Sequence, residues 1–262
     1  MKNKLLSLLI LSGLVVVLNP VLAIPAEFPA NDNSQAIVSL GKAFDPGTGK
    51  IVEGIAIIDY KKGHAKPNGV GNGKKGGGAS STCYAFLANG AKWNKNEGWV
   101  VNSANSGLNA DYVFDTLTNS IGKWEDAAGA NVFGDGVLTS DTLEYDQSTP
   151  LDNVNEVYFD EISEQGVIAV TYVWGIFSGP PQLRELVEWD MVFNTAYDWS
   201  STGEVGKMDF ENIATHELGH ALGLGHPGDS CAEETMYRFA YFGETMKRDL
   251  NAGDIAGIGA LY

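Results

Sequence analysis

Three of the chain's four histidines fall in one eleven-residue stretch, His216-Glu217-Leu218-Gly219-His220-Ala221-Leu222-Gly223-Leu224-Gly225-His226. Four residues apart, His216 and His220 project from the same face of a helix. Neutral imidazole binds Zn2+ at about 2.0–2.1 Å, so this pair supplies half of a tetrahedral site. Gly223 can adopt the positive φ that stops a helix and turns the chain, bringing in His226 as a third ligand. Three protein ligands leave one position for water, as in a catalytic rather than a structural zinc site. Glu217 can reach that water without ligating the metal. Zinc lowers the water's pKa to about 7, and Glu217 is placed to take its proton as general base.

These residues need a helix over Phe210–Leu222, and the sequence around it supplies the rest of a domain. Val113, Leu117, Ile121 and Trp124 recur at helical spacing between Ala110 and Ala128, which predicts an amphipathic helix. Strands are expected at 51–58, 84–87, 155–162, 167–177 and 186–193. Ser178-Gly179-Pro180-Pro181 marks a loop, and Ala252–Leu261 reads as a closing helix. The fold class is α+β: a twisted mixed β-sheet with an active-site helix and a C-terminal helix.

Composition limits the setting. The chain has 262 residues and a formal charge of −16, which disfavours a nucleic-acid partner because phosphate would be repelled. Lys2 and Lys4, an apolar run from Leu5 to Leu18 and Val21-Leu22-Ala23 have the order of a secretory signal peptide over residues 1–23. That run is too short to span a bilayer, so a secreted protein with no stable membrane anchor after signal cleavage is expected. Residues 24–78 form an N-terminal extension or propeptide, carrying more Lys than Asp and Glu and ending in the Gly/Lys-rich stretch 61–78. That stretch reads as a flexible linker. Residues 79–262 hold nearly all the acidic excess and form the catalytic domain.

The histidine segment resembles the zinc-binding signature of the metzincin metallopeptidases. Glu234-Thr235-Met236-Tyr237 is similar to that group's methionine turn, in which Met236 packs beneath the ligands without binding metal. Tyr directly after Met is more like the matrixin branch, and Pro227-Gly228-Asp229 after the third ligand resembles the serralysins. Three features depart from these families. The sequence contains no G-G-x-G-x-D repeats of a calcium-binding β-roll. His64 is the only histidine outside the motif, so a second, structural zinc site is not expected. A P-R-C-G-type cysteine segment is also missing.

The resemblance implies a zinc-dependent endopeptidase, expected here as a secreted monomer acting on a protein or peptide substrate. Its metal ligands would be His216, His220 and His226, with Glu217 as catalytic base. By similarity the run 167–174 is the sheet edge above a cleft, where an extended peptide pairs by β-augmentation, although an interior strand fits the same residues. Residues 236–242 would line the pocket beyond the cleaved bond, or their aromatics fill the core. Cys83 and Cys231, the only cysteines, most simply form one disulfide in an exported protein; a Cys83 thiolate on the zinc is the alternative. Surface carboxylates could bind Ca2+, but no D-x-[DN]-x-[DN]-G loop identifies ligands. Two other functions use the same residues: a secreted binding or adhesion protein on a metzincin scaffold, and a zinc hydrolase of a non-peptide substrate.

Overall fold

The computed structural model describes residues 37–63, 82–145 and 151–262. The expected signal peptide, His64 and most of the Gly/Lys linker lie outside them. In chain order the strands and helices are β1 (Ile37–Asp45), β2 (Lys50–Lys61), β3 (Ala85–Phe86), β4 (Glu97–Val101), α1 (Ala110–Ala128), β5 (Phe133–Leu138), β6 (Asn155–Asp160), β7 (Val167–Ile176), β8 (Glu185–Asn194), β9 (Trp199–Ser200), β10 (Met208–Asp209), α2 (Phe210–Ala221), β11 (Leu224–Gly225), β12 (Phe239–Ala240) and α3 (Ala252–Leu261). Among the described residues no helix is long and apolar enough to cross a membrane.

One sheet runs in the order β1-β2-β7-β8-β6-β4-β5, with β12 added beside the end of β2. It is mixed: β1, β2, β7 and β8 pair antiparallel, whereas β8, β6, β4 and β5 pair parallel. β7 and β8 are buried on both faces, which is why they read as near-continuous apolar runs. On the helical side lie Ile57, Ile168, Met191 and Phe193 with the apolar faces of α1 and α2. A second core on the opposite side gathers Val38, Ile58, Tyr158 and Tyr172. Consecutive Ile57 and Ile58 therefore serve opposite faces, as the period-2 alternation of a strand requires.

α1 begins where Asn109 accepts a hydrogen bond from the Tyr112 amide and ends at Gly129 in the left-handed region, φ 65°. These are an ordinary N-cap and a glycine stop. Val113, Leu117, Ile121 and Trp124 are buried, and the Trp124 indole donates to Thr215 O at 2.8 Å. That bond fixes α2 in rotation.

Two features depart from the sequence reading. β1, β4 and β5 were not anticipated, and the strand expected at 51–58 extends through Lys61. Polar composition from Lys61 onward argued for a linker, yet Lys61 and Lys62 have backbone partners on either side, Gly166 O and Ala240 O. Strand pairing in context overrides weak local propensity. The change of charge near residue 78 is therefore not a boundary in the sheet, because β2, which carries β1 on its outer side, pairs with β7 and β12 from beyond it.

Candidate active site

α2 places the first two histidines. Its N-cap Asp209 accepts from the Asn212 amide at 3.0 Å and takes both prongs of the Arg248 guanidinium, Nε at 2.8 Å and Nη2 at 2.6 Å. The helix is buried along its length, so the hydrogen bonds of its polar side chains decide their orientation. His216 Nδ1 donates to Thr235 O at 2.5 Å and His220 Nδ1 donates to Leu224 O at 2.8 Å. A carbonyl can only accept, so both rings carry their proton on Nδ1 and turn a bare Nε2 inward. Gly223 adopts φ 102°, and a Cβ there would lie 2.8 Å from Ala91 O. The turn it makes brings His226 Nε2 to 3.1 Å from His216 Nε2 and 3.0 Å from His220 Nε2.

Converging imidazole lone pairs repel one another unless a cation lies between them. Bonds of about 2.0–2.1 Å in a tetrahedron put donor atoms about 3.3–3.4 Å apart, close to the spacing seen here. All three rings are buried. Burial pushes His226 down to about 3 and lowers His216 as well, so both are held neutral, the form that ligates metal. The donor set and its spacing fit Zn2+.

Beside this triad lies a carboxylate from the far end of the chain. Asp59, on β2, places Oδ1 3.2 Å from His216 Nε2 and 3.0 Å from His226 Nε2, and Oδ2 3.5 Å from His220 Nε2. The four residues can each offer one atom within 4.8 Å of the others. Burial works against Asp59 ionising, and it takes positive charge at the three Nε2 atoms, which a bound cation supplies when the rings are neutral, to hold the carboxyl well below its ordinary range.

Glu217 is fully buried next to the triad. Thr171 on β7 donates its hydroxyl to Glu217 Oε2 at 2.6 Å, and among the described residues Oε1 has no hydrogen-bond donor. Burial, reinforced by the Asp59 charge, pushes the Glu217 carboxyl well above its usual value. A divalent cation among the histidines would act in the opposite direction.

Met236 is 1% exposed and packs under α2, where a Cβ on Gly219 would come within 2.2 Å of its sulfur. Asp254 on α3 accepts from the Thr235 and Met236 amides at 2.7 and 3.1 Å, fixing the turn and with it the carbonyl that orients His216. Cys83 and Cys231 are joined by a disulfide, their Cα atoms 5.4 Å apart, which leaves no thiol for a metal. Of the aromatics after Met236, Tyr237 is buried, while Tyr241 and Phe242 are 43% and 41% exposed. Lys247, buried against Asn212, donates Nζ to Phe239 O at 2.6 Å and holds β12 in place.

Sequence reasoning missed Asp59, Thr171, Lys247 and Asp254 as parts of this site. Asp59 left one signal, a lone carboxylate directly after the apolar run Ile55-Ala56-Ile57-Ile58, and Lys247 and Thr171 left none.

Residues 58–262 match the family model described as Matrixin, of peptidase family M10. Metalloendoproteinase 1-MMP of Arabidopsis thaliana is 43% identical over 65 residues, covering 25% of this chain and 17% of that protein. Metalloendoproteinase 2-MMP of the same plant is 28% identical over 57% of this chain and 37% of its own length. Human Matrilysin is 38% identical over 28% of this chain and 26% of its own. The matched stretches thus span well under half of each relative.

Proposed function

Because this chain belongs to the matrixin family, we propose that it is an exported zinc-dependent endopeptidase whose general base is Glu217. One observation carries this reading: a buried carboxylate with one oxygen fixed by Thr171 and the other without a donor among the described residues, beside three imidazoles whose bare Nε2 atoms converge. His216, His220 and His226 would hold the zinc, which when bound acidifies water and polarises a carbonyl.

The protein's own part is to position and move protons. Thr171 keeps Glu217 from rotating away, so its second oxygen stays directed at the attacking water. Glu217 takes a proton from that water and delivers it to the amine that leaves when the peptide bond breaks, acting as base and then as acid. The buried setting makes each of these charges felt more strongly than it would be in water. Export is supported by the charged, apolar and small-residue order of residues 1–23. N-terminal sequencing of protein recovered from the medium should begin at Ile24 or later.

The decisive test uses an unstructured peptide pool read by mass spectrometry, with Glu217→Gln beside the parent. Both are assayed intact and after limited tryptic cutting of the Lys-rich segment 61–75. Internal cleavages that vanish in Glu217→Gln are expected. One bound zinc per chain without cleavage in either state would overturn the peptidase reading in favour of a binding scaffold.

A further inference from the structure

β2 occupies an unusual place. Its last residues run between two strands, antiparallel to β7 on one side, where Asp59 faces Ala169 and Tyr60 faces Val167, and parallel to β12 on the other, where Tyr60 faces Phe239 and Lys61 faces Ala240. Backbone bonds close both seams: Lys61 N donates to Gly166 O at 2.9 Å and Lys62 N donates to Ala240 O at 3.1 Å. The register skips Ile168 between Asp59 and Tyr60, and a bulge of this kind re-aims a side chain. Asp59 shares the face of Ile57 and is directed into the histidine cluster rather than into apolar core.

An extended chain held between two strands over the metal-ligand cluster occupies the position a substrate backbone would need. Without β1 and β2, β7 would be an open edge facing β12 across the ligands. We propose that β2 is an autoinhibitory strand: it fills the cleft, and the Asp59 carboxylate takes the coordination position that the attacking water requires. This rests on the reading of the histidines as a zinc site.

Several contacts hold the strand. Ile57 and Ile58 are almost fully buried, so the docked hairpin is held by apolar surface removed from water on both of its faces. At the exit, Lys61 lies 4.4 Å from the Phe242 ring centre and Lys62 lies 5.0 Å from that of Tyr241, while Lys50 pairs with Glu185 at 2.5 Å at the other end. As part of the same chain, the strand competes with free peptide at an effective concentration on the order of millimolar. Cutting the chain between Lys62 and Cys83 removes that advantage and lets the hairpin dissociate.

The test loads the full chain with Co2+ and records its visible absorption with and without acetohydroxamate, alongside peptide cleavage by the zinc form. Parent, Asp59→Asn and Asp59→Ala are compared, with circular dichroism to establish folding; Asp59→Asn keeps the shape of the side chain if the alanine variant does not fold. The parent spectrum should ignore acetohydroxamate. That of Asp59→Asn should shift on adding it, and its cleavage rate should rise at least tenfold. A parent whose spectrum responds to acetohydroxamate as the variant's does, and which cleaves equally fast, overturns the proposal while leaving the peptidase reading intact. Spectra that differ as expected with no cleavage by any form sustain Asp59 as a ligand and sink the peptidase reading instead.

Discussion

The segment from Asp209 to Tyr262 and the hairpin from Ile37 to Gly63 meet at the same point by different physical routes. In the first, local rules decide nearly everything: a capped helix, histidines four apart, a glycine at φ 102° and a methionine turn tied to α3. In the second, a residue 157 positions from His216 reaches hydrogen-bond distance of it only because β2 pairs with β7 and β12. One region gathers three imidazoles from neighbours in sequence, and the other supplies a carboxylate through sheet topology. Chemistry written in spacing can be read from the chain, whereas chemistry delivered by strand pairing cannot.

If the C-terminal region does the chemistry, Glu217→Gln should show the largest effect. Peptide cleavage should fall by about 10²- to 10⁴-fold in a form whose hairpin has been released, with zinc content by mass spectrometry unchanged. Loss of zinc together with activity would mean that Glu217 is structural, which would blur the contrast.

Next in size is the disulfide, which ties β3's approach at Cys83 to the turn before Met236 across 148 residues. Cys83→Ser with Cys231→Ser should lower unfolding free energy by about 2–5 kcal/mol, measured by denaturant titration. A cost under 1 kcal/mol would show that the C-terminal region stands without this long-range tie.

A smaller effect separates backbone from side-chain control. Gly223→Ala puts a Cβ near Ala91 O in a conformation alanine disfavours, a cost of about 1–3 kcal/mol, and it displaces His226. Zinc affinity in a chelator competition should fall along with Tm. Unchanged affinity would mean that the third ligand does not depend on this turn.

Thr171→Val should have an effect of similar size, on the base rather than on the third ligand's turn. It removes one hydrogen bond to Glu217, equivalent to about 1.5–3 kcal/mol for a bond to a charged group. The turnover number should drop while KM changes little, because Thr171 positions the base rather than binding peptide. An equal change in KM would place Thr171 on the substrate path instead.

Much of the fold was legible before any coordinates. The apolar series Val113, Leu117, Ile121 and Trp124 predicted α1 over the span it occupies, and the β-branched runs located β6, β7 and β8 to within a few residues. Whether 167–174 is an edge or an interior strand stayed open in the sequence. Both descriptions now apply to β7, which is interior with the hairpin docked and would be an edge without it. Composition misled at Lys61 and Lys62, because they open a lysine- and glycine-rich stretch that reads as linker although their amides are bonded to Gly166 O and Ala240 O.

By itself the sequence determined the three clustered histidines, the glutamate beside the first of them and the glycine that turns the third inward. These depend on separations of eleven residues or fewer, which helix geometry converts directly into distance. Tertiary structure alone decided that Asp59 stands among those histidines, that Thr171 holds Glu217, and that Asp254 and Lys247 fix the turn and the strand around them. The Asp59 and Thr171 contacts span 157 and 46 positions, and only the packing of the sheet against its helices sets such distances.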